Sequence, residues 1–173
     1  MLTMERNMLR GRAIIAGDDV STDDIIPGRF AHLRSNLPEL ATHVFEDRIR
    51  GFRDRVKEGD VLVGGRNFGL GSSREHAPVV IKMAGVAAIL AKSVARIFYR
   101  NAINQGLVVL ICDTDGIRDG DSLEIRLDDG IVVNLNTGTT LSCGRMPSLM
   151  SDILAAGGLV PYIRQHGTLD AGS

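Results

Sequence analysis

Short apolar runs alternate with segments of helical period through the middle of the chain. Three runs bounded by glycine or polar turn residues predict buried strands, at residues 61–63, 86–90 and 107–112. Between them, two segments that begin near Ser72 and Ser93 carry apolar side chains at helical spacing and end before Gly85 and Gly106. This order of strands and helices predicts a parallel α/β core.

The pattern is different on either side of this core. Residues 11–15 predict a first strand, residues 21–27 a loop, and the segment from Pro38 to about Ile49 one amphipathic helix. Beyond residue 121 the pattern alternates. It predicts antiparallel hairpins, with strands at 122–126, 131–135 and 140–143.

The hairpin strands are separated by turn sequences that favour positive φ, Asp-Asp-Gly at 128–130 and Asn-Thr-Gly at 136–138. A last helix near 148–156 is followed by a short piece through Ile163. We therefore expect one α/β domain over residues 1–168, with antiparallel hairpins beside its parallel core, and a disordered tail at 169–173.

Composition excludes several classes of function. The chain has 173 residues, 44% of them hydrophobic and 24% charged, which is typical of a globular protein. Its 20 basic and 21 acidic residues give a net charge of −1, so neither nucleic acid nor an anionic membrane surface is an expected partner. No stretch approaches the roughly 20 apolar residues of a membrane span.

The two cysteines, Cys112 and Cys143, have no CxxC spacing. The chain by itself therefore predicts no zinc site and no iron–sulfur ligands, and a disulfide framework is not expected. A reducing, cytoplasmic location fits this use of cysteine best.

The densest chemical signal is a glycine-rich strand-to-helix connection at 64–71, followed by Ser72, Ser73 and Arg74. Such a connection can offer N–H groups to a carboxylate or phosphate at the positive end of a helix. The spacing does not match a phosphate-binding P-loop, a dinucleotide fingerprint or a nucleophile elbow. The structural alternative is that a serine caps the helix and Arg74 pairs with Glu75 or Asp23.

Three further candidates are weaker when taken alone. Thr22 and Asp23 lie in the polar segment 21–27, where such side chains commonly bond only to their own backbone. Arg34 lies in the next loop, where it could be an ordinary solvated residue. The histidines at 43 and 166 have no companion at metal-ligand spacing, and we assign them to structure.

The sequence resembles the small-subunit family of 3-isopropylmalate dehydratases, within the aconitase superfamily. The resemblance covers nearly the whole chain, and its most specific parts are NFGLGSSREHA at 67–77 and AKSVARIFYRNA at 91–102. It implies the swivelling β/β/α domain of aconitases. Here that domain would be a separate polypeptide, inactive alone, whose large-subunit partner holds a [4Fe-4S] cluster.

The resemblance also implies roles for individual residues. Ser72 matches the catalytic base that removes a proton alpha to a carboxylate. Ser73 and Arg74 match residues that bind the substrate carboxylate, and Thr22 and Asp23 match a pair that lines the pocket. Arg34 matches a substrate-binding arginine of the following loop.

The substrate stays open at this point. In this family water is removed from a malate-type acid and added back on the neighbouring carbon, and the favoured reading is leucine biosynthesis. The segment 30–35 and Ser21 depart from the usual family pattern, so homoaconitate and dimethylmalate-type acids remain alternatives. A non-catalytic anion-binding module is a further alternative.

Overall fold

A computed structural model describes residues 7–167, which build one seven-stranded mixed sheet of order β4-β3-β2-β1-β5-β6-β7. The strands are β1 Met8–Gly17, β2 Val61–Gly64, β3 Ala88–Ala91, β4 Val108–Ile111, β5 Ser122–Arg126, β6 Ile131–Asn134 and β7 Thr140–Ser142. Strands β1 to β4 are parallel, and β5, β6 and β7 follow as antiparallel neighbours. The predicted parallel core and antiparallel hairpins are both present.

Strand β1 belongs to both halves of this sheet. Its first part pairs with β5, from Met8 opposite Arg126 to Arg12 opposite Ser122. Its second part pairs with β2, beginning with Ala13 opposite Val61. One continuous strand thus fixes the parallel core and the hairpins relative to each other.

The helices follow the parallel strands or connect them. They are α1 Thr22–Ile25, α2 Leu37–Ala41, α3 Phe52–Arg55, α4 His76–Met83, α5 Arg96–Asn104, α6 Ser148–Ala156 and α7 Leu159–His166, with a 3₁₀ helix at Gly28–Ser35. None of the helices within residues 7–167 is long and apolar enough to cross a membrane.

Alternate side chains of the strands pack into two different cores. Leu62 and Ile89 contact the cluster that holds the buried faces of α4 and α5. Val63 and Leu90 point the other way, into a cluster shared with the hairpin strands. This alternation explains why all four residues of β2 and of β3 are buried, since a parallel strand covered on both faces has no solvent side.

Two of the predicted elements are wrong. The helix expected from Pro38 to Ile49 is only the five residues of α2, and a series of turns follows, in which Phe45 has φ +58°. The segment 21–27 is not wholly a loop, because Ser21 caps the single turn of α1 by a capping box with Asp24. The tail expected at 169–173 lies outside the described residues.

Candidate functional site

The glycine connection between β2 and α4 is held closely against its neighbours. A Cβ at Gly69, which has φ +81°, would lie 2.4 Å from Phe98 Cγ, and one at Gly64 would lie 2.6 Å from Phe68 Cδ2. Phe68 and Phe98 are buried and in contact, with ring centroids 5.4 Å apart. Two of these glycines are therefore required by packing, and they bring the connection onto the start of α5.

Most N–H groups of this connection are already used inside the protein. Gly65, Phe68 and Gly69 donate to the backbone carbonyls of Gly17, Ser93 and Val20, at 2.7 to 3.0 Å. The N–H groups of residues 66 and 67 donate to side-chain oxygens. The expected anion cradle is thus wrong for 65–69.

The N–H groups that could meet an anion lie further along. Gly71, Ser72 and Ser73 make no N–H hydrogen bond within residues 7–167. They lie just before α4, whose N-terminal cap, Glu75, makes no side-chain capping bond. The predicted serine cap is therefore wrong, and the helix begins at His76, so both serines and Arg74 precede it.

Thr22 holds the backbone at Ser72 in place. Its hydroxyl donates to the carbonyl oxygen of Ser72 at 3.0 Å, and its N–H donates to the carbonyl of Leu70 at 2.9 Å. Thr22 is 4% exposed, so the Thr22 end of both bonds is shielded from water. The two candidate segments are thus joined, because Thr22 binds main-chain carbonyl groups of the serine segment.

Ser72 and Ser73 are exposed at the edge of an open cleft of 220 Å³. Thr22 and Arg74 line the same cleft. The side chain expected to act as a base and the arginine expected to bind a carboxylate therefore face one space, and neither is sealed in the core.

Arg74 bridges the two segments from the other side. Its guanidinium donates to the carboxylate of Asp23 and to the main-chain carbonyl of Ile26. The Arg74 side chain is 29% exposed and that of Asp23 is 70% exposed. The predicted pairing with Asp23 is present, and it leaves the arginine reachable from the cleft.

Arg34 and Arg74 both line a second, smaller cavity of 140 Å³. This cavity is lined by Arg34, Arg74 and His76 together with two residues of the 21–31 stretch, Ile26 and Ala31. The Nε of Arg34 donates to the carbonyl of Ala31 at 3.0 Å, which turns the arginine back over its own 3₁₀ helix. The other five predicted site residues therefore lie around Arg74.

The sequence did not predict the contribution of α5. Arg96, Ile97 and Asn101 line the same cleft as the serines, and Ile97 is 57% exposed. Arg96 makes no ion pair with any residue between 7 and 167. The order of strands and helices could have predicted this contribution. The carboxyl ends of neighbouring parallel strands meet at one edge of a sheet, which places the start of α5 beside the glycine connection.

The remaining titratable side chains do not form a metal site. Residues 7–167 contain no group of three or more histidine, cysteine or acidic side chains that could hold a metal ion. His43 stacks on Phe30 with ring centroids 4.0 Å apart, and His166 stacks on Tyr162 at 4.3 Å. Both imidazole rings therefore pack against an aromatic side chain.

Comparison with known proteins gives the class of this fold and site. Residues 35–114 match the model of the aconitase C-terminal domain. A crystal structure of 3-isopropylmalate dehydratase from Methanocaldococcus jannaschii superposes with a TM-score of 0.87 at 50% identity, covering 92% of this chain and 95% of that one. The fold is thus the mixed α/β fold of the aconitase C-terminal domain, as predicted.

Two relatives narrow the class further. The 3-isopropylmalate dehydratase small subunit 2 of Archaeoglobus fulgidus is 57% identical over 92% of this chain and 96% of its own length. The small subunit 1 of Thermotoga maritima is 52% identical over 93% and 98%. The chain belongs to the family of 3-isopropylmalate dehydratase small subunits, hydro-lyases of the aconitase superfamily, which confirms the resemblance found in the sequence.

A third relative has a different name at similar identity. The methanogen homoaconitase small subunit of Methanocaldococcus jannaschii is 52% identical over 92% of this chain and 93% of its own length. Overall identity therefore does not separate the two substrate classes.

Proposed function

We propose that this chain is the small subunit of a heteromeric dehydratase that interconverts 2-isopropylmalate and 3-isopropylmalate, in leucine biosynthesis in the cytoplasm. The observation that carries the proposal is the shared cleft of Ser72 and Arg74. A base and a carboxylate-binding cation face one space there, on a fold whose relatives are named as small subunits of dehydratases.

In this proposal Ser72 takes the proton alpha to the substrate carboxylate. Negative charge then increases on that carboxylate, and nearby positive groups stabilise this transition state more than the bound substrate. Gly71 and Ser73, whose N–H groups make no hydrogen bond within residues 7–167, flank Ser72 in the sequence, and α4 begins four residues after it. N–H groups and a helix amino end at such positions favour an anionic oxygen. The same groups stabilise the ionised form of the Ser72 hydroxyl.

Arg74 and Ser73 bind the substrate carboxylate. A guanidinium offers a fork of donors that matches a carboxylate, and the bonds to Asp23 and Ile26 fix its direction. Thr22 keeps Ser72 at the cleft by its bond to the Ser72 carbonyl. Arg34 contributes a second positive charge from the neighbouring cavity.

The residues of this chain do not fit an iron–sulfur cluster. Such clusters are held by three or four cysteines, and the chain has two, Cys112 and Cys143. We therefore assign the [4Fe-4S] cluster, with its Lewis-acid role toward the leaving hydroxyl, to a large partner subunit. The chain alone would then be inactive.

Reconstitution tests this assignment. The chain, the large subunit and their mixture are each assayed anaerobically for dehydration of 3-isopropylmalate, and only the mixture should turn over. Turnover by this chain alone, or full turnover by the large subunit alone, would overturn the proposal, and the second result would favour a non-catalytic anion-binding module.

A second candidate substrate class is supported by the homoaconitase relative at 52% identity. The same mixture is therefore assayed with homoaconitate and a dimethylmalate-type acid. We expect the highest kcat/KM for 3-isopropylmalate. A higher value for homoaconitate would leave the base and the arginine in place and change only the substrate.

A further inference from the structure

The first residue of α5 brings an unpaired guanidinium to the cleft of Ser72. Arg96 lines this cleft together with Ser72 and Arg74. It is exposed, and its side chain makes no hydrogen bond and no ion pair within the part of the chain that the structure describes. Arg74, in contrast, is bonded to Asp23 and Ile26. Arg96 is therefore able to pair with a bound anion without giving up a bond inside the protein.

Main-chain bonds fix the start of α5 against the glycine connection. The N–H of Phe68 donates to the carbonyl of Ser93 at 3.0 Å, and the N–H of Ala95 donates to the carbonyl of Phe68 at 2.8 Å. Ala95 directly precedes Arg96. The backbone that carries Arg96 is therefore held by the same connection that leads to the serines.

The lining of the cleft carries net positive charge. Of the described residues that line it, two are arginines and none is acidic. Asp23 balances the charge of Arg74, but the charge of Arg96 has no such balance. A charge that is buried without a partner is costly, so covering the cleft with another subunit would require an anion beside Arg96. The malate-type acids of the proposed function have a second carboxylate besides the one that Arg74 binds.

Arg34 is the other arginine that a second carboxylate could meet. It lines the smaller cavity of 140 Å³, and Ser72 is not among the described residues around that cavity. Arg96 lines the cleft that Ser72 and Arg74 share. An acid with its reacting carbon at Ser72 and one carboxylate at Arg74 thus lies in the cleft to which Arg96 belongs.

We propose that Arg96 binds the second carboxylate of a dicarboxylic substrate, the one that Arg74 does not bind. This assignment rests on the proposed function and adds a substrate-binding residue to it. The guanidinium of Arg96 offers two parallel N–H donors, which match the two oxygens of a carboxylate. The two arginines then hold the acid at both ends and keep the reacting carbon in front of Ser72.

Half-amide inhibitors test which arginine binds which carboxylate. The chain is mixed with the large subunit under anaerobic conditions, and turnover of 3-isopropylmalate is inhibited with isopropylsuccinate, which has both carboxylates and lacks the hydroxyl group. Each of its two half-amides replaces one carboxylate by a neutral carboxamide. With the unsubstituted chain, each replacement should raise the inhibition constant by roughly 10- to 100-fold, because a hydrogen-bonded charge is lost.

Arg96→Gln should remove the effect of one half-amide and keep that of the other. We expect the inhibition constant of the diacid to rise by roughly 10- to 100-fold, and the half-amide without the second carboxylate to bind this variant nearly as well as the diacid does. Arg96→Lys keeps the charge without the fork and should lose less affinity. The thermal midpoint of both variants should match that of the unsubstituted chain, since Arg96 makes no side-chain bond within the described residues.

Arg100→Gln is the matched control. Arg100 is an exposed arginine one helical turn further along α5, and it does not line the cleft. This variant makes the same change of charge on the same helix as Arg96→Gln. It should leave every inhibition constant unchanged.

Three results would overturn the proposal and leave the proposed function in place. The first is an Arg96→Gln variant with the inhibition constants of the unsubstituted chain. The second is loss of the half-amide effect in Arg34→Gln and not in Arg96→Gln, which would assign the second carboxylate to the smaller cavity. The third is full recovery of the Arg96 variant with excess large subunit, which would show that Arg96 binds the partner. Turnover of no malate-type acid by the unsubstituted mixture would instead remove the proposed function, and this inference with it.

Discussion

The guanidinium of Arg74 joins the carboxylate of Asp23 to the main-chain carbonyl of Ile26. Asp23 and Ile26 lie in one segment, about fifty residues before Arg74 in the sequence. Their contact with Arg74 closes one side of the cleft that Ser72 faces. The direction in which the arginine points therefore depends on a carboxylate that is itself largely exposed.

Asp23→Asn tests whether this pair orients Arg74. A pair this exposed contributes at most about 1 kcal/mol, so we expect the free energy of unfolding to change by less than that. The loss of orientation should lower kcat/KM of the reconstituted enzyme by about fivefold. Asp47→Asn removes another exposed carboxylate, paired with Arg29, and should leave kcat/KM unchanged. Equal effects of both variants would show that Asp23 acts only through net charge.

Ser72→Ala removes the proposed base without disturbing the backbone bond from Thr22, which uses the Ser72 carbonyl. We expect kcat to fall by roughly 10²- to 10⁴-fold with little change in KM, because a positioned base contributes on that order. The control is Ser142→Ala, at another exposed serine, on β7. If the Ser72 variant keeps turnover within twofold of the parent, Ser72 is not the base.

Gly69→Ala tests the packing of the glycine connection against α5. The added methyl group would meet Phe98 at 2.4 Å in a backbone conformation with φ +81°. Overpacking and left-handed strain together should cost about 2–4 kcal/mol of unfolding free energy, measured with urea. Gly116→Ala has no atom of residues 7–167 within 4 Å of its new Cβ and should change stability by less than about 1 kcal/mol. A Gly69 variant as stable as the parent would contradict the close approach.

Asp121 should make the stability of the fold fall in acid. Hydrogen bonds from the N–H of Arg118 and from Asn134 Nδ2 hold the pKa of this carboxyl below its ordinary value. A lowered pKa contributes stability above the unfolded value, and that stability is lost as the pH falls through the folded value. The loss therefore occurs below about pH 4.

The measurement for Asp121 is the urea midpoint as a function of pH. We expect Asp121→Asn to flatten the fall of the midpoint between pH 5 and the acid limit of folding, relative to the unsubstituted chain. Asp129→Asn makes the same change of charge at an exposed position and serves as the control. An unchanged slope in the Asp121 variant would show that this carboxylate does not couple folding to pH.

The elements with strong local signals were predicted correctly from the sequence. Gly130 and Gly138, in the predicted hairpin turns, have φ of +65° and +76°. The buried runs became β2, β3 and β4 within two residues of their expected bounds. Local turn chemistry and continuous apolar runs decide these elements, so they can be recognised without tertiary information.

The elements that failed depend on distant contacts. The helix predicted to reach Ile49 ends early because the chain turns at Phe45, whose N–H donates to the carbonyl of Ile25 at 3.1 Å. The helical segment expected to begin near Ser93 begins at Arg96, and the hydroxyl of Ser93 accepts the N–H of Asn67 and does not cap α5. In both cases a bond from another segment replaces the local one, and spacing along the sequence does not show it.

The predicted site residues lie close together, but their arrangement could not be predicted from the sequence. The resemblance supplied Ser72 and Arg74, but no signal in the sequence places Arg34 and Arg74 around one cavity. This juxtaposition depends on the packing of α2, which follows the 3₁₀ helix, against α4, and therefore on contacts between segments that are distant in the sequence.

Because the two parts of β1 pair with different strands, this strand constrains where members of the family can differ in length. Residues Met8 to Arg12 pair with β5, and residues from Ala13 onward pair with β2. One residue inserted between them would therefore shift the register of one half of the strand relative to the other. Every side chain beyond the insertion would exchange its core for the opposite one. We therefore expect insertions and deletions in the connections between elements, which form the cleft, and not within β1.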